Sequence, residues 1–430
     1  VAVDVVEMAD RLWRGEVDPW SEYHPVGHLG GMAEICQGVA FVPTLANVTA
    51  ITTDDGLVLI DTGSEPVAPL IHTELRRWSD QRLNTAVFSH GHIDHVFGVG
   101  VWEAESAEKG WAPPVVIAHE AIRDRFDRYI ATAGYNQVIN RRQFGFKNLI
   151  WPTAYRYPDE TYRAGRPLDV GGVHLDLVHE KGETDDHTVS WFADKRVLCC
   201  GDLFIFASPN AGNPQKVQRY PREWAQALRR MLTLDAEYLL PGHGLPVMGS
   251  DRVAQALGGT AELLESLVEQ TLEIMNNGGR LDEAIHSVEV PSHLAGLSYL
   301  RPIYDEPEFI VHNIWRLYGG WWDGNPATLK PAPEVALASE VAALAGGPGA
   351  LAARALELLN QPAPTAAGPD TEGALRLAGH LAEMAWLADP SDPAIADARQ
   401  RVFTTRAEHA TSTMAKGVFN WAARTSSPED

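Results

Sequence analysis

The run His90-Gly91-His92-Ile93-Asp94-His95 sets three imidazoles and a carboxylate within six positions, directly after the largely apolar segment 83–88. An apolar segment of that length reads as a buried strand, so the cluster falls where a strand ends and a turn begins. Donors on a strand-end loop can fold back around an ion while the strand keeps them rigid. Imidazole nitrogen and carboxylate oxygen suit borderline first-row ions such as zinc. A helix N-terminus with incidental histidines would not need this density. The chain must therefore build a sheet behind the loop.

Strand signals surround it. Residues 39–42 and 48–53 are rich in β-branched side chains, Asp54-Asp55-Gly56 is a hairpin signal, and residues 57–60 form a buried strand ending in Asp61-Thr62-Gly63. Residues 67–80 have helical spacing, with Leu70, Leu75 and Trp78 as inward candidates. Further strands are expected at 115–118, 173–179, 188–192, 196–200 and 238–240, the pair 188–192 and 196–200 antiparallel, with a helix over 119–133. The aromatic and basic stretch 135–151 reads as a loop or broken helix over the site. Such alternation indicates an α/β layer architecture.

Beyond about residue 252 the strand signal disappears. One amphipathic helix is expected over 253–276, stopped by Asn277-Gly278-Gly279, and another over 308–318 before the Gly319-Gly320-Trp321-Trp322 break. Ala/Leu-rich helices follow at 332–345, 351–359, 371–387 and 393–419, with Pro362 to Pro369 as an irregular linker. Two domains are expected, α/β over 1–250 and all-α over 251–430.

A net charge of −22 excludes nucleic acid and anionic membrane surfaces as partners, since both require a basic face. An anionic substrate must then be drawn by local positive charge, most simply a metal. The three cysteines, Cys36, Cys199 and Cys200, form no disulfide framework and fit a reduced compartment. Residues 1–10 lack the basic and apolar regions of a signal peptide, so a cytoplasmic location is expected. No segment approaches the ~20 apolar residues of a spanning helix, and no membrane role is expected.

Three more donors stand at strand ends: Glu183 after a Gly182 turn, Asp202 after 197–201, and His243 after 239–242. The His90 to His95 cluster, Gly201-Asp202 and Pro241-Gly242-His243-Gly244 resemble the metallo-β-lactamase superfamily, and Asn47-Val48-Thr49 and Asp61-Thr62-Gly63 fit it too. That resemblance implies an αββα sandwich with a two-metal site. Asn140-Arg141-Arg142, Glu183, Asn210 and the stretch from Ile314-Trp315-Arg316 through Asn325-Pro326 look like its alkylsulfatase branch, in which a helical dimerisation domain follows the hydrolase domain. The branch's usual sterol-carrier-like C-terminal domain has no counterpart in residues 1–430.

Carried onto this chain, the resemblance implies one metal on His90, His92 and Glu183 and a second on Asp94, His95 and His243, with Asp202 bridging. Glu183 is favoured over His187 because it stands eight residues before Trp191, the spacing of the superfamily ligand. His187 then becomes a supporting or substrate-side group. Three carboxylates and a bridging hydroxide balance two divalent ions, with Asp94 and Asp202 as catalytic ligands. Zinc is expected, two ions per chain; the third carboxylate also admits manganese or iron, and weakens Lewis acidity relative to a histidine. The implied reaction is hydrolysis of alkyl sulfate monoesters by a homodimer joined through its helical domain. Asn210 matches the family's sulfate-binding asparagine, but Gln215 occupies the matching arginine position. Lys216, Arg219, Arg141 and Arg142 are the other candidates for the anion. The altered clamp leaves another ester, a lactone or a phosphoester as the alternative substrate, and an iron-dependent oxidoreductase as a different class on the same scaffold.

The remaining motifs read as structure. Cys199 and Cys200 point to opposite faces of a strand and pack as small hydrophobes. His72, His119, His174, His179, His286, His293 and His312 are expected to be non-ligands, and Trp315, Tyr318, Trp321 and Trp322 to serve core or interface.

Overall fold

The computed structural model describes residues 4–359 and 371–427; the linker expected at Pro362 to Pro369 lies outside them. Its strands are β1 (Ala33–Cys36), β2 (Val39–Val42), β3 (Val48–Thr53), β4 (Gly56–Ile60), β5 (Leu83–Val87), β6 (Val115–His119), β7 (Glu160–Tyr162), β8 (Gly165–Val170), β9 (Val173–Glu180), β10 (His187–Phe192), β11 (Val197–Gly201), β12 (Tyr238–Pro241) and β13 (Val247–Met248). Among the described residues they form two sheets, one in the order β1-β2-β3-β4-β5-β6-β7 and the other in the order β13-β12-β11-β10-β9-β8.

The first sheet runs antiparallel from β1 to β4 and parallel from β4 to β7. Both of its faces are covered, and the sequence shows why. Along β2, Val39 and Phe41 enter the core shared with the second sheet, while Ala40 and Val42 enter a core under helices. The same alternation sends Val58 and Ile60 one way and Leu57 and Leu59 the other. A strand buried on both faces is apolar throughout, and β4 is buried at every position. The second sheet gives Leu175, Leu177 and Cys199, which share a face by their register, to the core it shares with the first. Its own helix layer begins with Pro221–Leu232, where buried Trp224 donates its indole N–H to the Leu203 carbonyl at 2.9 Å. The layers run helix, sheet, sheet, helix, followed by a helical region: the expected αββα sandwich.

The helices match their patterns at most positions. In Ala68–Trp78, Leu75 is buried, but Ile71 takes the inward place expected of Leu70, which is 37% exposed. Of the two readings of 135–151, the structure gives the helical one: helix Ala133–Phe144 covers most of it and breaks off, and irregular chain follows from Gly145 (φ +71°). The span 393–419 holds two helices, Pro393–His409 and Thr413–Arg424, because Ser412 turns out of the helix and caps the second at the Ala415 N–H.

The chain divides into two compact units, Val1–Gly134 with Trp151–Trp321, and Tyr135–Ile150 with Trp322–Asp430. The long helix Ser250–Asn276 belongs to the first, where Val253, Leu257, Leu264 and Leu267 join the sandwich core. In the second, buried Arg399 ties helices together through Glu383 at 2.7 Å and the Ala422 carbonyl at 2.6 Å. Trp315 is buried in the first unit, whereas Tyr318 and Trp321 are exposed.

Candidate metal centre

Strand ends carry the donors to one place. Residues 90–95 follow β5, Glu183 lies in the turn between β9 and β10, Asp202 follows β11, and His243 follows β12. Two groups form among the described residues: His90, His92, Glu183 and Asp202, and Asp94, His95 and His243, the ligand atoms of each within 4.8 Å of one another. Glu183 Oε2 lies 3.5 Å from His90 Nε2 and 3.4 Å from His92 Nδ1. His243 Nε2 lies 3.5 Å from Asp94 Oδ2. Asp202 faces both groups: Oδ2 is 3.6 Å from His90 Nε2 and 3.3 Å from His243 Nε2, and Oδ1 is 3.4 Å from His95 Nε2. None of the seven histidines expected to be non-ligands joins either group. His119 and His179 instead stack at 3.6 Å.

The residues present fit metal ions. His95 Nε2, Glu183 Oε2 and Asp202 Oδ1 are buried, turned inward and without a hydrogen-bond partner, a costly arrangement unless a cation receives those lone pairs. Donor chemistry of nitrogen and carboxylate oxygen suits divalent first-row ions. Burial, then the other histidines, holds His90 well below the usual imidazole range, and burial, then Arg219 and Arg125, does so for His92, so both stay neutral. Burial also acts to lower His95 and His243, but neighbouring carboxylates, Asp202 foremost, outweigh it: His95 is pushed up to about 10 and His243 is raised. Asp202 is held well down despite its burial by His243 and His95. Burial and the adjacent Asp202 push the Glu183 carboxyl up, against the pull of Arg219.

A second ring of contacts orients these ligands. Asp61, at a left-handed φ of +60°, accepts the Ser89 N–H and hydroxyl at 2.7 Å each and holds His95 Nδ1 at 2.8 Å. That bond turns the Nε2 lone pair of His95 inward. His243 Nδ1 donates to the Leu45 carbonyl. Arg125 pairs with Asp186 at 2.8 Å, and Asp186 accepts the Gly91 N–H at 2.9 Å, fixing the loop between His90 and His92. Asp61 was present in the sequence as part of a strand-end motif; Arg125 and Asp186 had no local signal.

The expected substrate residues are placed differently. His187 is fully buried, stacked 4.7 Å from His90, with Nε2 3.1 Å from the Cys200 carbonyl, and it joins neither donor group. Asn210 donates to Glu183 Oε1, and buried Arg219 reaches the same oxygen at 3.2 Å, so both expected anion binders are engaged on the glutamate. Lys216 lies 5.7 Å over the Trp151 ring; burial, then Arg219, draws its ammonium down to about 7, while Asp94 and Glu183 act to raise it. Arg141 and Arg142 belong to the second unit, where Arg141 donates to the Leu149 carbonyl at 2.8 Å and Arg142 stacks 4.3 Å from Trp421. Tyr304, absent from the sequence reading, feels Glu183, Asp94 and Asp202; with burial foremost, they keep its hydroxyl protonated.

Residues 42–243 match the metallo-β-lactamase superfamily, and residues 280–428 match the alkyl sulfatase dimerisation family. The chain is 27% identical over 319 residues to a linear primary-alkylsulfatase of a Pseudomonas strain, an overlap of 69% of this chain and 60% of that protein. It is 26% identical over 403 residues to an (R)-specific secondary-alkylsulfatase of Pseudomonas sp., covering 87% of this chain and 58% of that one. The solved structure of the stereoselective inverting sec-alkylsulfatase Pisa1 from Pseudomonas sp. superposes with a TM-score of 0.81 at 22% identity, over 93% of this chain and 66% of that one, which shows a shared fold. This chain spans 60% or less of the length of each curated relative it matches.

Proposed function

We propose, from the match of residues 42–243 to the metallo-β-lactamase superfamily and of residues 280–428 to the alkyl sulfatase dimerisation family, a metal-dependent hydrolase that cleaves alkyl sulfate monoesters. The observation that carries this reading is the pair of donor groups joined by Asp202. His90, His92 and Glu183 would hold one ion, Asp94, His95 and His243 a second, and zinc is the ion we propose for both. Bound there, divalent ions supply Lewis acidity and a hydroxide nucleophile near neutral pH.

The chain's own residues would do the rest. Asp61 keeps His95 in the tautomer that presents Nε2. Lys216 is the group we assign to the sulfate: burial, then Arg219, draws its ammonium down to about 7 against the pull of Asp94 and Glu183, and a bound anion would hold the proton on it. Tyr304 keeps its hydroxyl proton, because burial and then the field of Glu183, Asp94 and Asp202 disfavour the phenolate, and can offer that O–H as a hydrogen bond to an ester oxygen. At a net charge of −22 the chain as a whole repels anions, so an anion is favoured only where positive charge is concentrated.

Engagement of Asn210 and Arg219 with Glu183 favours a second reading, in which the site takes a carboxylic ester, lactone or phosphoester. The test is to load the purified full chain with zinc and incubate it with linear and branched alkyl sulfates, measuring inorganic sulfate. Release of sulfate is expected. No release from a chain shown to hold its metal, with turnover of a lactone or phosphodiester, would transfer the assignment to the second reading.

A further inference from the structure

The two oxygens of Glu183 have separate surroundings. Oε2 is buried, has no hydrogen-bond partner, and faces His90 Nε2 and His92 Nδ1. Oε1 points away from them and takes the Asn210 amide and the Arg219 guanidinium. Arg219 is 1% exposed, and each of its three side-chain nitrogens already donates: Nη2 to Glu183 at 3.2 Å, Nε to the Asn210 carbonyl at 3.2 Å, and Nη1 to the Val217 carbonyl at 3.4 Å. Its backbone is fixed as well, since the Arg219 carbonyl accepts from the Asn313 amide at 3.1 Å. A buried guanidinium held in this way is built into the site and is not an arm waiting for a ligand.

We propose that Arg219 is a positioning residue that, together with Asn210, makes Glu183 a one-oxygen metal ligand and cancels its charge, so that the Glu183–Arg219 pair stands in for a neutral imidazole. The inference rests on the two-ion reading above. A carboxylate in place of histidine makes a metal site one unit more negative; the adjacent guanidinium returns that unit. Holding Oε1 in two hydrogen bonds also denies it to the ion, which leaves Oε2 as the single donor. Sulfate recognition then falls to groups other than Arg219.

Pairing makes the two residues interchangeable only together. Glu183→His alone leaves Arg219 as an uncompensated buried cation beside the ion; Arg219→Met alone leaves Oε1 unheld and the site over-negative. Glu183→His/Arg219→Met removes both charges and supplies the imidazole directly. The experiment titrates zinc against a competing chelator for the wild type, both single variants and the double variant, with circular dichroism of each metal-free chain. Each single change is expected to weaken the tighter-coupled ion of His90 and His92 by about tenfold or more, the usual cost of losing an orienting partner. The double variant should return to within about threefold of wild type, as coupled residues do and independent ones do not. Losses that simply multiply in the double variant overturn the proposal. So does an Arg219→Met chain with wild-type zinc affinity that has lost sulfate binding. If either single variant fails to fold, the double variant decides alone: it must fold and hold the ion. A wild-type chain that binds fewer than two ions defeats the two-ion reading separately, because the cycle is read on one ion.

Discussion

Without metal, His95 is one of the donors that hold a proton a metal must displace, alongside His243 and Glu183. Burial alone would remove the second proton of His95, yet Asp202, Asp61 and Asp94 outweigh that and hold it up to about 10. Nδ1 keeps its proton on Asp61, so the proton that must leave for a metal is the one on Nε2. The sign follows: below about pH 10 the metal-free chain carries this proton and the metal-bound chain does not, so apparent affinity should climb as pH rises, by up to about tenfold per unit for one proton. Zinc binding measured by calorimetry at pH 7 in two buffers of different ionisation enthalpy should show net proton release; a heat independent of buffer would refute it. The residues that meet in the two donor groups were legible in the sequence because metal coordination would demand particular side chains, and each of them stands at a strand end. Their supports were not: Arg125 reaches Asp186 from 61 positions away, and Arg219 reaches Glu183 from 36. Nothing local in the chain records such pairs, so Arg219 read as an anion binder when its charge is already engaged.

Strands β11 and β12 run parallel and end side by side, and their turns are packed without slack. The Gly242 N–H donates to the Gly201 carbonyl at 2.7 Å, and a Cβ on residue 242 would sit 2.1 Å from Asp202 Oδ1. Gly242→Ala must therefore displace the carboxylate that joins the two donor groups, and it also presses on the Gly201 carbonyl carbon, 2.8 Å from that Cβ, at the end of β11. The expected outcome is a chain with wild-type far-ultraviolet circular dichroism that has lost about one of its two ions; metal analysis after desalting checks it, and unchanged metal content would count against Asp202 as the joining ligand. At this scale β2, β3, β4 and β9 were readable from β-branched and apolar runs. The short β7 was not, since three residues carry no period. Helices were readable from their apolar spacing, but their breaks depend on caps. Ser412 ends one helix and starts another inside a span whose Ala-rich composition favours a single helix throughout.

Over the whole molecule, the change from strands to helices near residue 250 is a change of secondary structure, while compactness follows side-chain burial and so keeps Ser250–Asn276 with the sandwich. A sequence records the first directly and the second only through contacts made by residues far apart. The second unit carries an imbalance that composition alone hides. Helix Glu334–Ala345 buries only Ala338 and Ala342, while Val335 and Leu337 are more than half exposed and Leu344 is 89% exposed. Leu337 and Leu344 stand seven positions apart, on one face, and Leu377 of Thr371–Ala388 is half exposed as well. Apolar stripes of this kind on an acidic surface mark an interface, and the match of 280–428 to the alkyl sulfatase dimerisation family makes a second copy the partner we expect. Sedimentation of the full chain should therefore give a dimer at micromolar concentration. Leu337→Glu/Leu344→Glu places two charges where the partner would desolvate them, and should shift the chain to monomer with its circular dichroism unchanged. A wild-type monomer, or a double variant that still sediments as a dimer, would remove this helix from the interface.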